Sequence, residues 1–218
     1  MQPDRLVDVI QRTGVTDPRI LAAVVATPRA TFVPPQSVAR AQLDEPIPIG
    51  HGQPTTQPSL IARMIDALEL SGTEKVLEIG TGYGYQTALL ARLARRVVSV
   101  ERYADLAEHA RVNLAAVGVT NAEVVVGDGT TGMPEHAPFD AVIVSASGRR
   151  VPAPLVEQLA EGGRLVMPIQ QVLYETVMLY RKRHGDLTEQ RMLTHAQFVP
   201  LVSEEEGDQR GGNEQVEP

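Results

Sequence analysis

The 218-residue chain has no cysteine and no tryptophan, and only 4% of it is aromatic. The first absence excludes disulfides, thiolate metal sites and thiolate nucleophiles, and it fits a reducing compartment. The second leaves few platforms on which nucleic acid could stack. Basic residues are in the minority too: 20 Lys and Arg stand against 27 Asp and Glu, for a net charge of −7. A phosphate-binding face needs the opposite balance, so nucleic acid is not an expected partner. No apolar run reaches the ~20 residues that span a bilayer, and the opening M-Q-P-D-R-L-V-D-V-I lacks the layout of a secretory signal. No membrane partner is expected, and the expectation is a monomeric, cytoplasmic protein. The five histidines (His51, His109, His136, His184 and His195) show no metal-ligand spacing, and no metal site is expected.

What is present suffices for one domain with a real core, since 43% of the residues are hydrophobic. From Lys75 the chain alternates. Strands are predicted at Val76–Ile79, Val97–Glu101, Ala122–Val126, Ala141–Ser145 and Arg164–Ile169, and helices at Tyr85–Leu93, Ala104–Val117 and Pro154–Leu159. That rhythm implies right-handed crossovers onto a doubly wound, mostly parallel α/β sheet of Rossmann-like type. After Pro168 the helices stop, and Thr176–Arg183 and Met192–Leu201 read as an antiparallel edge pair. Upstream, Leu6–Ile10 and Ile20–Val25 read as short helices, the second opened by Asp17-Pro18. Residues 32–48 are proline-punctuated and irregular, and a helix is predicted from Pro58 to Leu70. The expected organisation is a helical and irregular lobe over 1–55, a core over 56–202 and a disordered acidic tail over 203–218.

The most informative stretch is V-L-E-I-G-T-G-Y-G-Y at Val76–Tyr85. A strand ending near Glu78 runs into Gly80, Gly82 and Gly84, and a helix follows, so a bulky adenosine-type cofactor can sit against bare backbone. The spacing is G-x-G-x-G, with Tyr85 where the dinucleotide fingerprint wants its third glycine, which favours a cofactor without a pyrophosphate. Glu101, ending the second strand, can accept from ribose hydroxyls. Asp128, between Gly127 and Gly129 after the third strand, can accept from an adenine amino group. Alone, Asp128 would be read as a turn former. With the other two elements at the correct strand ends, the set points to S-adenosyl-L-methionine.

Several segments then resemble one family. V-L-E-I-G-T-G-Y-G-Y-Q-T-A-L-L-A, V-S-V-E-R, V-V-G-D-G and A-P-F-D-A-V-I-V are similar to the protein-L-isoaspartate (D-aspartate) O-methyltransferases. So are I-G-H-G-Q-P-T-T-Q-P-S-L-I-A-R-M, D-P-R-I-L-A-A-V-V-A-T-P-R-A-T-F-V-P and Q-F-V-P-L. The likeness runs from about Arg5 to Val202, and the T-T-Q-P segment is its family-specific part. The resemblance implies a Rossmann-like methyltransferase, an enzyme that methylates the free carboxylate of L-isoaspartyl and D-aspartyl residues in damaged proteins. The ester then collapses to a succinimide, which begins repair. It implies cofactor contacts at Glu78, Gly80, Thr81, Gly82, Gly84, Gln86, Thr87, Glu101, Arg102, Asp128 and Gly129. It implies substrate contacts at Thr55, Thr56, Gln57, Pro58 and Val199, with isoaspartyl-containing proteins and peptides as partners.

A carboxylate is already ionised at neutral pH, so this chemistry requires no general base, and the missing His–Asp or Ser–His pair does not count against it. Thr56 is placed as the catalytic residue that meets the substrate carboxylate, at the expected N-terminus of the following helix; the bland alternative is a plain N-cap. Serine is usual in the family at this position, so Thr56 adds a methyl that restricts χ1. The Ser147–Pro152 segment also departs from the family, with Arg149-Arg150 read as a solvated loop or a contact for an acidic peptide. These departures keep open a carboxyl methyltransferase that tailors a dedicated peptide. A cofactor-binding scaffold without activity is the other alternative, disfavoured because a scaffold has no need of all three cofactor elements.

Overall fold

The computed structural model describes residues 4–203. The expected acidic tail from residue 204 onward therefore lies outside the described residues. Seven strands form one sheet: β3 (Lys75–Ile79), β4 (Arg96–Glu101), β5 (Ala122–Val126), β6 (Phe139–Val144), β7 (Leu159–Gln170), β8 (Glu175–Arg183) and β9 (Asp186–His195). Their order is β5-β4-β3-β6-β7-β8-β9. The first five are parallel; β8 and β9 join as antiparallel strands at one edge. The chain winds outward from β3 to β5, then returns to the other side of β3 with β6. The carboxyl ends of β3 and β6 therefore flank the switch point at which such sheets bind ligands.

Alternate residues explain why the sheet is buried on both faces. Val76, Val97 and Val166 pack with the helices α1 (Asp4–Arg12), α2 (Pro18–Ala26), α3 (Pro58–Ala67) and α4 (Tyr85–Leu93). Leu77, Val98 and Leu165 pack on the opposite face with Leu155 of α6 (Ala153–Gln158). The helix α5 (Ala104–Ala116) links β4 to β5. Leu6, Ile10 and Ile20 share one buried cluster with Leu60, Leu89 and Val76, so the N-terminal helices are packed into the main core. Asp17 caps α2 by accepting the Arg19 N–H at 2.8 Å, with Pro18 at the first helical position.

Several segments differ from the sequence reading: β7 begins at Leu159 instead of Arg164, β9 at Asp186 instead of Met192, and α3 ends at Ala67 instead of Leu70. The strand expected over Met192–Leu201 ends at His195. Beyond it the backbone turns inward: the Phe198 N–H donates to Glu175 Oε2 at 2.7 Å and the Leu201 N–H to the Ser147 carbonyl at 2.7 Å. Pro200, which has no N–H, interrupts any ladder there. The stretch ahead of α3 contains a short antiparallel hairpin of β1 (Pro48–Gly50) and β2 (Gln53–Pro54).

Candidate active site

A cavity opens at the carboxyl ends of β3, β4, β5 and β6, lined by residues that end or follow those strands. The glycine loop forms its floor. Gly80 and Gly82 have φ of +94° and +56°, which L side chains rarely adopt. A Cβ on Gly80 would lie 3.3 Å from Ser145 Cβ, so the loop presses against the end of β6. Glu101 is buried and closes the side wall. Its Oε2 accepts the Gly82 N–H at 2.8 Å and its Oε1 the Tyr103 N–H at 3.1 Å. The carboxylate thus fixes the loop and the start of α5, and each oxygen keeps capacity for a further donor. Asp128 Oδ1 accepts the Thr130 N–H and hydroxyl, both at 2.7 Å, so the turn-forming role weighed from the sequence is present alongside its place in the cavity wall.

Of the residues expected to touch cofactor, Gly80, Thr81, Gly82, Gln86, Glu101, Arg102, Asp128 and Gly129 line the cavity. Glu78, Gly84 and Thr87 do not. Glu78 lies beneath the floor with no exposed surface. Its carboxylate accepts from Thr87 Oγ1 and Ser99 Oγ, both at 2.5 Å, and from Gln86 Nε2 at 3.0 Å. Burial pushes its pKa up to about 7, against the pull of those three donors. Gln86 Nε2 also donates to Ser145 Oγ at 3.0 Å, so the network reaches a group that lines the cavity. Gly84 instead begins α4, where a Cβ would meet Ala110 Cβ at 3.3 Å.

Thr55, Thr56 and Val199 line the cavity as expected substrate contacts, whereas Gln57 and Pro58 do not. Gln57 lines a neighbouring groove, and Pro58 is buried in the first turn of α3. The cap assignment changes as well. Gln57, not Thr56, is the N-cap of α3. The N–H of Ser59 donates to Asp44 Oδ1 at 2.8 Å, and those of Leu60 and Ile61 to the Gln57 carbonyl, both at 3.1 Å. A protein carboxylate already occupies the positive end of the helix, so that end is not the anion site inferred from the sequence. The Thr56 hydroxyl, by contrast, has no hydrogen-bond partner among the described residues.

Thr55 is held hard. Its Oγ1 accepts from Arg29 Nη2 and from the Ile47 N–H, both at 3.1 Å. Arg29 is a buried guanidinium that also donates to the carbonyls of Leu43 (2.7 Å) and Glu45 (2.8 Å), and burial lowers its pKa. It therefore straps the loop bearing Asp44 to the Thr55-Thr56 segment. Arg149 and Arg150 are exposed and outside the cavity lining. Residues missed in the sequence include Phe32, Tyr85, Tyr103 and Ser145, all in the wall. Ser145 was findable, since it follows the strand beside β3. Phe32, from the proline-rich stretch, carried no signal.

The fit to S-adenosyl-L-methionine rests on these features. The glycine loop offers a cradle free of side chains, and an acidic group ends β4. In addition, two buried polar atoms of cavity-lining residues, Tyr85 Oη and Gln86 Oε1, lack a protein partner. Fold and site together define a Rossmann-like methyltransferase with S-adenosyl-L-methionine as its cofactor.

Known relatives narrow that class. The sequence profile described as protein-L-isoaspartate(D-aspartate) O-methyltransferase (PCMT) matches residues 1–206. A protein-L-isoaspartate O-methyltransferase from Methanoculleus marisnigri is 48% identical over 195 residues, covering 89% of this chain and 88% of that one. One from Halorhodospira halophila is 46% identical over 200 residues, covering 91% and 90%. A solved protein-L-isoaspartate O-methyltransferase superposes with a TM-score of 0.83 at 29% identity, over 92% of this chain and 66% of that chain. A Plasmodium falciparum structure in complex with S-adenosyl-L-homocysteine shares the fold, with a TM-score of 0.80 at 22% identity over 90% and 96% of the two chains. The chain belongs to the protein-L-isoaspartate(D-aspartate) O-methyltransferase family.

Proposed function

We propose that the protein methylates the free carboxylate of L-isoaspartyl and D-aspartyl residues in damaged proteins and so begins their repair. One observation carries this reading beyond family membership. A groove lined by Gln57, Arg63, Thr194, His195 and Phe198 abuts the cofactor cavity, and Pro54, Thr55, Thr56, Ser145 and Val199 belong to both walls. A peptide lying in the groove would present the free carboxylate of its damaged residue at Thr56, the point where the two spaces meet.

When bound, the cofactor supplies a methyl group on a sulfonium centre. Transfer to a carboxylate that is already ionised would require no proton to be moved by this chain. The protein's task is alignment and exclusion of water. The Thr56 hydroxyl, otherwise unpaired, donates to the substrate carboxylate and fixes one oxygen. Arg29, through Thr55, fixes the backbone that carries it. Gly80–Gly82, Glu101, Arg102, Asp128 and Gly129 hold the cofactor, and Val199 borders the substrate. The monomeric and cytoplasmic setting belongs to the proposal; no described helix is long and apolar enough to cross a membrane.

The ester nature of the product is the test. Methyl groups transferred to an isoaspartyl peptide should be released as methanol at mildly alkaline pH, in equal amount to the methyl incorporated. A base-stable methyl product would place the acceptor on another atom and overturn the reading.

A further inference from the structure

We infer that the β1–β2 hairpin is a lid on the cofactor cavity and that His51, at its tip, is the positioning residue that latches it. This rests on the assignment of the cavity to the cofactor. Two walls distant in sequence face each other across the mouth: Ile49, Gln53 and Pro54 come from the hairpin, while Arg102, Tyr103 and Leu106 come from the start of α5. Ile49 lies directly over the glycine loop, its Cδ1 only 3.1 Å from where a Cβ on Gly82 would stand. His51 ties the two walls together. Its ring stacks on Tyr103 with centroids 4.2 Å apart and planes within 9°. Its Nε2 lies 2.8 Å and 3.0 Å from the two carboxylate oxygens of Asp105 in the first turn of α5. Among the described residues, no other hydrogen bond joins residues 48–54 to residues 101–106.

Apart from the latch, the hairpin is held by the buried Ile49 side chain and, at its base, by the Thr55 N–H donating to the Ile47 carbonyl at 2.7 Å, so its tip depends on His51. Its strands are three and two residues long, and an isolated two-stranded ribbon is marginal in water. His51 sits at φ +51°, between Gly50 at +108° and Gly52 at +66°. A non-glycine residue in that left-handed region is strained and persists only where its surroundings over-determine it. Here the surroundings are the stack and the Asp105 carboxylate, whose pKa is lowered chiefly by the hydrogen bond from His51. Both side chains remain well exposed, at 40% and 60%, so the latch is weak enough to open with each exchange of cofactor for product.

The test is the release rate of S-adenosyl-L-homocysteine, followed by stopped flow for wild type, His51→Ala, His51→Phe and Asp105→Asn, with melting temperatures alongside. His51→Ala should speed release by about tenfold, from the combined loss of the stack and the hydrogen bond to Asp105. His51→Phe, which keeps the stack, should recover part of the slow release, and Asp105→Asn should fall between. Melting temperatures should stay near wild type, because the latch lies on the surface. Release from His51→Ala at the wild-type rate would overturn the lid. A wild-type protein that binds no S-adenosyl-L-homocysteine would overturn the cavity assignment itself, an outcome visible before any variant is compared.

Discussion

Replacing Glu78 by glutamine is expected to remove a pH dependence from the stability of the fold. Glu78 sits under the glycine loop without solvent contact, and burial moves its carboxyl from an ordinary 4.5 up to about 7. The unfolded chain therefore gives up this proton near pH 4.5, while the folded chain keeps it to about pH 7. Between those values the folded state binds more protons, so stability falls as pH rises. The contribution is fully present below 4.5 and is lost once the pH has passed through about 7. At ~1.4 kcal/mol per pH unit, the window amounts to about 3 kcal/mol. Glutamine keeps the shape and one acceptor, and the hydroxyls of Thr87 and Ser99 can turn to accept from its amide. Urea unfolding of both proteins at several pH values from 4.5 to 8 measures the effect, and titrations elsewhere in the fold cancel in the difference. The glutamine variant should gain about 3 kcal/mol on wild type across that range. A gap that stays constant to within ~0.5 kcal/mol would refute a raised Glu78 and with it the dry floor beneath the cofactor.

Three further outcomes are expected. Thr56→Val should leave S-adenosyl-L-homocysteine affinity unchanged in calorimetry but lower single-turnover methyl transfer by roughly 10- to 150-fold, the worth of one hydrogen bond to a charged group, while Thr56→Ser retains activity; full activity in the valine variant would remove Thr56 from the reaction. Glu101→Ala should weaken S-adenosyl-L-homocysteine binding by ~1–3 kcal/mol, since it strips an acceptor from the cavity and frees the Gly82 and Tyr103 amides; unchanged affinity would move the ribose site elsewhere. Asp44→Ala should cost about 1 kcal/mol in urea unfolding, because α3 loses the carboxylate that accepts the Ser59 N–H and hydroxyl; unaltered stability would mean that Asp44 does not act as its cap.

The parallel sheet was legible because its signals are local. Apolar strands such as Val97–Val100 stop at acids or glycines, and each crossover helix has its own period. The glycine loop and Glu101 were legible for the same reason, since strand ends in this topology converge on one crevice. The capping of α3 was not. Thr56 looked like the cap by position, but Asp44 reaches the helix from a proline-rich loop with no periodic pattern. Arg29 carries no signal of its own in the sequence, yet it is 1% exposed and straps that loop to Thr55. The end of β9 was misplaced because Phe198–Leu201 has the composition of a strand, whereas Glu175 and Ser147 supply partners that only the fold brings near. Glu78 was assigned to the cofactor from the motif, and the pleat of β3 instead turns it toward Ser99 and Thr87.

Family membership carries the reading that an abnormal linkage is recognised, and the proposal places that recognition where groove and cavity meet at Thr56. An isoaspartyl residue carries its α-carboxylate off a backbone lengthened by one carbon, and only that carboxylate should reach the point where groove and cavity meet. The direct measurement is transfer of labelled methyl from S-adenosyl-L-methionine to a peptide containing one isoaspartyl residue, beside its otherwise identical aspartyl twin, with the wild-type protein. The expected result is transfer to the isoaspartyl peptide and background levels with the twin. Equal labelling of both peptides, or of neither, would contradict the assignment of this protein to isoaspartyl repair.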